Sequence, residues 1–473
     1  WNTLIVKQRV LHFEVEPAQP NFFVSVMLQH AKGYCFRRQN VLSLYFDYLL
    51  SFGRQVCMRS IRLFDLLMGF SRALDMVSPV LAGHHLRVAF LGQALAERLR
   101  LSRTTRKYML MASMLHDIGA IPLKSDTRDL IFEHNKALHC RAGWAFCKTA
   151  GLPRAVCDMV LNHHTEWCSY GAEDQNALPA NCIHLADRLD VALRSKHAPD
   201  LKAICTALMA KQREYAPTCL KALLCLADDA DLVARLDSPQ RMQEHLASVF
   251  GSVILGPVQL VDLCGLFSQT IDSKSPFTAT HSLGVAHTAR MLLKLSRMAD
   301  ADDLTTMFIA GLLHDIGKLA IPHEILEKPS ALTPEELSQI QQHAETSLDL
   351  LGSIPGFTCV CEWGGRHHER LDGTGYPQGI RAASLSLPMR IIAVADVFTA
   401  LTEDRPYRAG MPLAKAMEII ESMAELCYLD ANVVALLADN VLQVNRARIR
   451  AQRRAAANFV VMRRLCGESG GAA

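Results

Sequence analysis

Apolar residues recur along most of this chain at intervals of three and four, the spacing that lines one face of an α-helix. Val88, Leu91, Leu95 and Leu99 fall on one such face, and Val285, Ala289 and Leu292 on another. Strict alternation, the mark of a half-buried strand, is rare; Asn21 to Met27 is a short stretch that reads as one. The pattern predicts an all-α core. The most continuous apolar run, Ser252 to Phe267, is interrupted by Pro257, Gln259 and Asp262, so no transmembrane helix is expected. Its later part, through Thr270, reads as a helix leading into the segment beyond it.

The polar positions carry a second pattern, an internal repeat. The first copy runs His84-His85, then His116-Asp117-Ile118-Gly119, His139, His163-His164 and Asp187. The second runs His281-Ser282, then His314-Asp315-Ile316-Gly317, His343, His367-His368 and Asp396. Five features recur in one order, and the gaps His139 to His163 and His343 to His367 are both 24 residues. A chain of 473 residues suits roughly three domains of about 150 residues. The expected division is a segment of unassigned role over 1–65, a first repeat over 66–210, a helical linker over 211–250, a second repeat over 251–430 and a basic C-terminal helix over 431–473. The arginines of that last helix, Arg446, Arg448, Arg450, Arg453, Arg454, Arg463 and Arg464, read as a solvated face, with a phosphate-binding or partner role as the alternative.

Composition narrows the classes. Half of the residues are hydrophobic and 21% charged, enough for a packed core. A net charge of +3 gives no case for DNA or membrane binding. The 15 cysteines include no CxxC pair, which excludes a zinc ribbon; they read as small buried hydrophobes of a reducing cytoplasm. Trp1-Asn2-Thr3 has neither a starting Met nor a signal-peptide pattern, so a further upstream segment stays open.

Imidazole and carboxylate together are ligands for divalent metals such as Fe, Mn or Zn. A lone His is usually a satisfied structural residue, and His287 and His323 are read that way. Seven His and Asp side chains in one repeat exceed what a single four-coordinate ion needs and suit two ions sharing Asp315. Two metals about 3.5–4 Å apart suit phosphoester hydrolysis, because they polarise the phosphoryl group and stabilise the leaving oxygen.

At this point the residues resemble a known family. The His-Asp helical pattern with a distal Asp resembles the HD phosphohydrolase superfamily. The segment His367-His368-Glu369-Arg370-Leu371-Asp372-Gly373-Thr374-Gly375-Tyr376-Pro377 closely resembles the defining loop of HD-GYP proteins. So do His314-Asp315-Ile316-Gly317-Lys318, Ile321-Pro322 and Asp404-Arg405-Pro406-Tyr407-Arg408. The resemblance covers about Ser275 to Leu429; the first repeat is similar to the wider superfamily as a degenerate HD repeat. It implies an all-α tandem HD fold and a cytoplasmic phosphodiesterase that hydrolyses cyclic di-GMP to pGpG or GMP in second-messenger signalling. It implies a binuclear site of Fe or Mn, with Zn, Ni or Mg as alternatives. His281, His314, Asp315 and Asp396 would hold one ion and His343, His367 and His368 the other, with Asp315 shared and catalytic. Lys318 would reach a substrate phosphate, Arg405 and Arg408 the second phosphate or a guanine, and Gly375, Tyr376 and Pro377 would shape the adjoining loop.

Some positions depart from the family pattern. A third-metal Glu of some members is replaced by Phe277, and the family often has Asp where Thr399 stands. The first repeat keeps His84, His116, Asp117, His139, His163, His164 and Asp187, and so could hold metal. It has Ala120 where the second has Lys318 and lacks the Gly-Tyr-Pro loop, so loss of its phosphate contacts is expected. The alternatives are hydrolysis of the mixed cyclic GMP–AMP dinucleotide, a weakly catalytic receptor for the nucleotide, and a general HD nucleotide phosphohydrolase. A homodimer or a signalling partner also stays open.

Overall fold

The computed structural model describes residues 2–6, 9–13, 60–78, 81–123, 136–171, 174–194, 200–229, 231–275, 280–328, 330–404 and 409–465. The strand expected over Asn21 to Met27, the Phe277 position and both Arg405 and Arg408 lie outside them. The chain divides into two compact units, residues 1–51 and 52–473. The described part of the first unit is an antiparallel hairpin of β1 (Asn2–Val6) and β2 (Arg9–Phe13), in register from Asn2 opposite Phe13 to Val6 opposite Arg9.

Among the described residues of the second unit, the regular structure is helical apart from the isolated bridge between Arg62 and Ile254. The first repeat comprises α1 (Leu63–Asp75), α2 (His84–Arg98), α3 (Arg103–Leu115), α4 (Lys136–Thr149), α5 (Arg154–Asn162) and α6 (Ala177–Arg194). Helix α7 (Leu201–Met209) ends the first repeat, and three helices connect it to the second: α8 (Pro217–Ala227), α9 (Leu232–Leu236) and α10 (Pro239–Phe250). They do not hang free; α8 and α10 pack back on α2. The second repeat comprises α11 (Pro257–Ser273), α12 (His281–Ser296), α13 (Ala301–Leu313), the short α14 (His323–Leu326), α15 (Pro334–Gly352), α16 (Thr358–Gly365) and α17 (Leu387–Thr402). Then follow α18 (Leu413–Glu425), α19 (Ala431–Asp439) and the long α20 (Val441–Leu465).

The helices form where the sequence gives start signals. Asp300 caps α13 by accepting from the backbone N–H of Asp302 and Asp303, and Thr333 and Glu336 form a reciprocal capping box at α15. The predicted apolar faces point inside: Val88, Leu91, Leu95, Val285, Ala289 and Leu292 are fully buried, and Leu99, just past the end of α2, is half-buried. Each repeat packs its second helix against its third and last: α2 on α3 and α6, α12 on α13 and α17.

The repeats also pack on each other reciprocally. Helix α1 touches the 3-10 turn Ile316–Ala320 and α15; α11 touches the matching turn Ile118–Leu123 and α4. Phe70 of α1 and Phe267 of α11, both fully buried, stack with ring centroids 3.5 Å apart. Both lie 14 residues before the first His of their repeat. Aromatic stacking of this kind adds about 0.5–1.5 kcal/mol beyond area burial.

The basic C-terminal helix is not a uniformly solvated face. Arg446, Arg450, Arg453, Arg454 and Arg464 are exposed, but Arg448 is buried and donates to Asn445 and Gln452. Cys140, Cys147, Cys157, Cys182, Cys205, Cys219 and Cys264 are free and buried, whereas Cys359 is disulfide-bonded. Among the described residues no helix is long and apolar enough to cross a membrane.

Candidate metal and phosphodiester site

The last turn of a helix leaves backbone carbonyls without intrahelical donors. The candidate histidines exploit this. His314 closes α13, and its Nδ1–H donates to the Gly311 carbonyl at 2.8 Å. His367 follows α16 and donates to Gly364 at 2.7 Å. His343, inside α15, likewise donates to Ile340 at 2.5 Å. Spending Nδ1–H on the backbone fixes the tautomer and turns the Nε2 lone pair inward. The three Nε2 atoms are buried and make no hydrogen bond, and neither does Oδ1 of Asp315. Four orphaned acceptors facing one another are costly without a cation, so the donor set fits divalent metal.

All seven expected ligands of the second repeat converge. Ligand atoms of His281, His314 and Asp396 lie within 4.8 Å of one another, as do those of His314, Asp315 and His367, and of His343, His367 and His368. Asp315 Oδ1 is 3.3 Å from His343 Nε2 and its Oδ2 is 3.2 Å from His314 Nε2. Asp315 therefore sits between the groups, where a shared carboxylate would have to be. Burial alone would raise its carboxyl; His314 and Lys318 outweigh that and hold it well below the usual carboxylate range. Burial pushes His368 down to about 3 and His367 well below its ordinary value, so both are neutral donors. Lys318 Nζ donates to Asp315 Oδ2 at 2.5 Å. Burial would lower its pKa, but the carboxylate wins and keeps the ammonium charged.

A glycine sets the spacing between the His-Asp pair and the next ligand. A Cβ on Gly317 would stand 2.1 Å from the His343 carbonyl oxygen, and one on Gly119 would stand 2.1 Å from that of His139. Only glycine lets these two stretches of backbone touch.

The first repeat builds the same cage. His84, His116 and Asp117 form one group, and Asp117, His139, His163 and His164 another, all buried. Asp187 Oδ1 is 3.4 Å from His84 Nε2. His116 and His163 donate from Nδ1 to Ser113 and Val160, at 2.8 and 2.6 Å. His139 Nε2 and His163 Nε2 face each other at 3.2 Å.

Several supporting residues escape a reading of motifs. Asp75 and Asp272 are buried, nine residues before His84 and His281. Asp272 Oδ1 accepts from Ser282 Oγ at 2.6 Å; Asp75 Oδ1 pairs with His85 Nδ1 at 2.5 Å. The first histidines are held from behind by different carboxylates. His84 Nδ1 meets Asp190 Oδ2 at 2.8 Å, three residues past Asp187. The position three past Asp396 is Thr399, and Glu403 takes over, with His281 Nδ1 at 3.1 Å from its Oε1. The missing Asp at 399 thus has a replacement one helical turn on. The cue available in sequence was Asp-x-x-Ser-Pro, present as Asp75 to Pro79 and as Asp272 to Pro276; nothing local marked Glu403.

Two models described as HD domain match this chain, over residues 81–192 and 265–433. The 3′3′-cGAMP-specific phosphodiesterase 1 of Vibrio cholerae is 32% identical over 391 residues, covering 79% of this chain and 90% of that protein. The chain belongs to the HD-GYP family of cyclic-dinucleotide phosphodiesterases. A cyclic di-GMP phosphodiesterase of Pseudomonas aeruginosa is 34% identical over 210 residues, 43% of this chain and 47% of that one. The crystal structure of a cyclic GMP–AMP-specific phosphodiesterase of V. cholerae superposes with a TM-score of 0.57 at 23% identity, over 81% of this chain and 98% of its own, which establishes the shared tandem fold.

The HD-GYP loop lies against the candidate metal ligands. The Tyr376 ring packs 4.6 Å from that of His368, and Tyr376–Pro377 is a cis peptide. Gly375 is needed for close approach rather than for positive φ: a Cβ there would lie 2.4 Å from the Arg370 nitrogen. Positive φ falls instead on Gly373 and Gly379. Buried Glu369 ties the loop down, accepting from the backbone N–H of Gln378 at 2.7 Å and of Ile380 at 3.0 Å. In the first HD repeat a cation is present after all. Arg188 Nη2 donates to Asp187 Oδ2 at 2.8 Å, so Ala120 does not leave that cluster without positive charge.

Proposed function

We propose that the second repeat holds two divalent ions and hydrolyses a 3′,3′-linked cyclic dinucleotide to a linear product. The observation that carries this is the ring of backbone-clamped histidines whose buried Nε2 atoms face Asp315. His281, His314, Asp315 and Asp396 hold one ion; His343, His367 and His368 hold the other and share Asp315. Fe or Mn suits this mixed imidazole–carboxylate set. When bound, such a pair polarises the phosphoryl group and stabilises the leaving oxygen. Lys318 adds a fixed positive charge for a non-bridging phosphate oxygen. Tyr376 and the loop pinned by Glu369 orient the substrate beside His368, and Arg405 and Arg408 take its second phosphate or a base.

A relative that aligns over 79% of this chain, and so through both repeats, is cGAMP-specific, and that favours the mixed cyclic GMP–AMP dinucleotide as substrate. Cyclic di-GMP is the second reading, favoured by relatives that match shorter stretches, such as the Pseudomonas enzyme. We assign the chain to the cytoplasm, where both nucleotides act. The domain division follows the repeat: first HD repeat over 66–210, linker over 211–250, catalytic repeat over 251–430. Chromatographic product analysis of Mn- or Fe-loaded protein offered each cyclic dinucleotide separately decides among these readings. Turnover of one and not the other fixes the substrate; turnover of neither overturns the proposal.

A further inference from the structure

Lys274 closes α11 and is 3% exposed, a rare setting for a lysine. A buried ammonium is costly: burial pushes this one down to about 8, against the pull of Glu324. Its Nζ donates to two backbone carbonyls, that of Leu319 at 2.6 Å and that of Lys318 at 3.2 Å. Both belong to the 3-10 turn Ile316–Ala320, which follows the His314-Asp315 pair. From this same backbone Lys318 sends its own ammonium to Asp315 Oδ2 at 2.5 Å. One lysine therefore grips, from behind, the stretch of chain from which the other reaches into the site. Hydrogen bonds from a charged donor are about twice as strong as neutral ones, so the grip is firm.

The first repeat separates a role in folding from a role at the site. Each repeat has Asp-x-x-Ser-Pro ahead of its first histidine, and this aligns Lys274 with Val77. The His-Asp pairs align Lys318 with Ala120. The first repeat nevertheless forms the matching 3-10 turn, Ile118–Leu123, with neither lysine. A turn of this kind thus needs no buried cation in order to form. The cation is present where the turn carries Lys318 and absent where it carries Ala120. Its use is then the placement of Lys318, and placement matters most for a charge that must meet a reacting phosphate. A misplacement of about 1 Å can cost about a hundredfold in rate.

We propose that Lys274 is a positioning residue for phosphodiester hydrolysis, fixing the turn so that the Lys318 ammonium meets a non-bridging phosphate oxygen. This rests on the ion pair and the role given to Lys318 above, not on which cyclic dinucleotide is hydrolysed. The first repeat and its donor set play no part in it.

The test is a double-mutant cycle in the full chain loaded with Mn²⁺. Lys318→Met should lower kcat about a hundredfold. Lys274→Met should lower it about tenfold, with KM within about threefold of the parent chain and bound Mn²⁺ unchanged. The double variant should be no slower than Lys318→Met, within about twofold, because Lys274 acts through Lys318 alone. A residue that served packing only would slow both backgrounds alike. Losses that multiply overturn the proposal, and so does a rate that Lys318→Met or Lys274→Met leaves unaltered. If Lys274→Met does not fold, Lys274→Val, the residue that the first repeat carries, takes its place in the cycle.

Calorimetric titration of the same proteins with inorganic phosphate repeats the cycle without turnover. Lys318→Met should weaken phosphate about tenfold and Lys274→Met about threefold, and the double variant should bind as Lys318→Met does. If the parent chain hydrolyses neither cyclic dinucleotide, the reading of its function fails while the phosphate cycle still decides this one. Multiplying losses of phosphate affinity, or none with Lys274→Met, then overturn it. A parent chain that neither hydrolyses a dinucleotide nor binds phosphate overturns both.

Discussion

The two repeats solve one problem with different residues. Each must hold its first histidine from behind with a carboxylate. The first repeat uses Asp190, steadied by Arg87 at 2.5 Å; the second uses Glu403, steadied by Gln452 of α20 at 3.1 Å. Each also sets a cation against its cluster. The second draws Lys318 from the turn after its His-Asp pair, and the first draws Arg188 from beside its distal Asp. Ligand geometry tolerates such exchanges because a carboxylate or cation acts through where its charge lies, not through its place in the chain. What separates the repeats is therefore the surroundings of the cage: the Gly-Tyr-Pro loop, and Lys318 against Asp315.

The widest gap should open at the shared carboxylates. Asp315→Ala should lower hydrolysis about a thousandfold or more and strip metal from the second repeat. Asp117→Ala should empty the first repeat and leave the rate within about tenfold of the parent protein. Steady-state kinetics with elemental analysis reads both, and equal losses would erase the functional distinction between repeats. The supporting carboxylates come next. Glu403→Ala should cost about 10–100-fold in metal affinity or activity of the second repeat, and Asp190→Ala should cost the first repeat's metal affinity alone.

Stability tests the likeness rather than the difference. Gly317→Ala and Gly119→Ala press a methyl into the same backbone contact, so each should destabilise by about 1–3 kcal/mol in denaturant titration. Unequal losses would show that the two cages are not equally rigid. The smallest effect concerns Asp272, which burial pushes up to about 7 against the opposing Ser282 hydroxyl and His281. A carboxyl raised in the fold binds a proton that the unfolded chain has released. Stability should therefore fall as pH rises from about 4 to 7. Asp272→Asn should flatten that slope, and an unchanged slope would move its origin elsewhere.

The cage was legible in sequence because its ligands come in spaced, repeated pairs. His314 with Asp315 and the equal 24-residue steps to His163 and His367 needed no coordinates. The all-α core was legible for the same reason, since its apolar period is local. Glu403 was not, because it reaches His281 across 122 residues from the end of another helix. Arg188 was missed because a cation beside an Asp in sequence usually points to solvent, whereas this half-buried side chain turns back onto Asp187. Arg448 was misjudged within its arginine run because its burial depends on what α20 packs against, chiefly α12.

Phe70 stacked on Phe267 has an evolutionary reading. Equivalent residues meeting their own counterparts are what a two-fold axis produces when a protein binds a second copy of itself. A single-repeat protein pairing with its own copy through this face would present the same arrangement, and gene duplication and fusion would join the two partners in one chain. Once tethered, one half could drift while the other kept the chemistry, since the two no longer shared a gene sequence. Any larger assembly of today's protein must use other surfaces, because this face is already occupied from within.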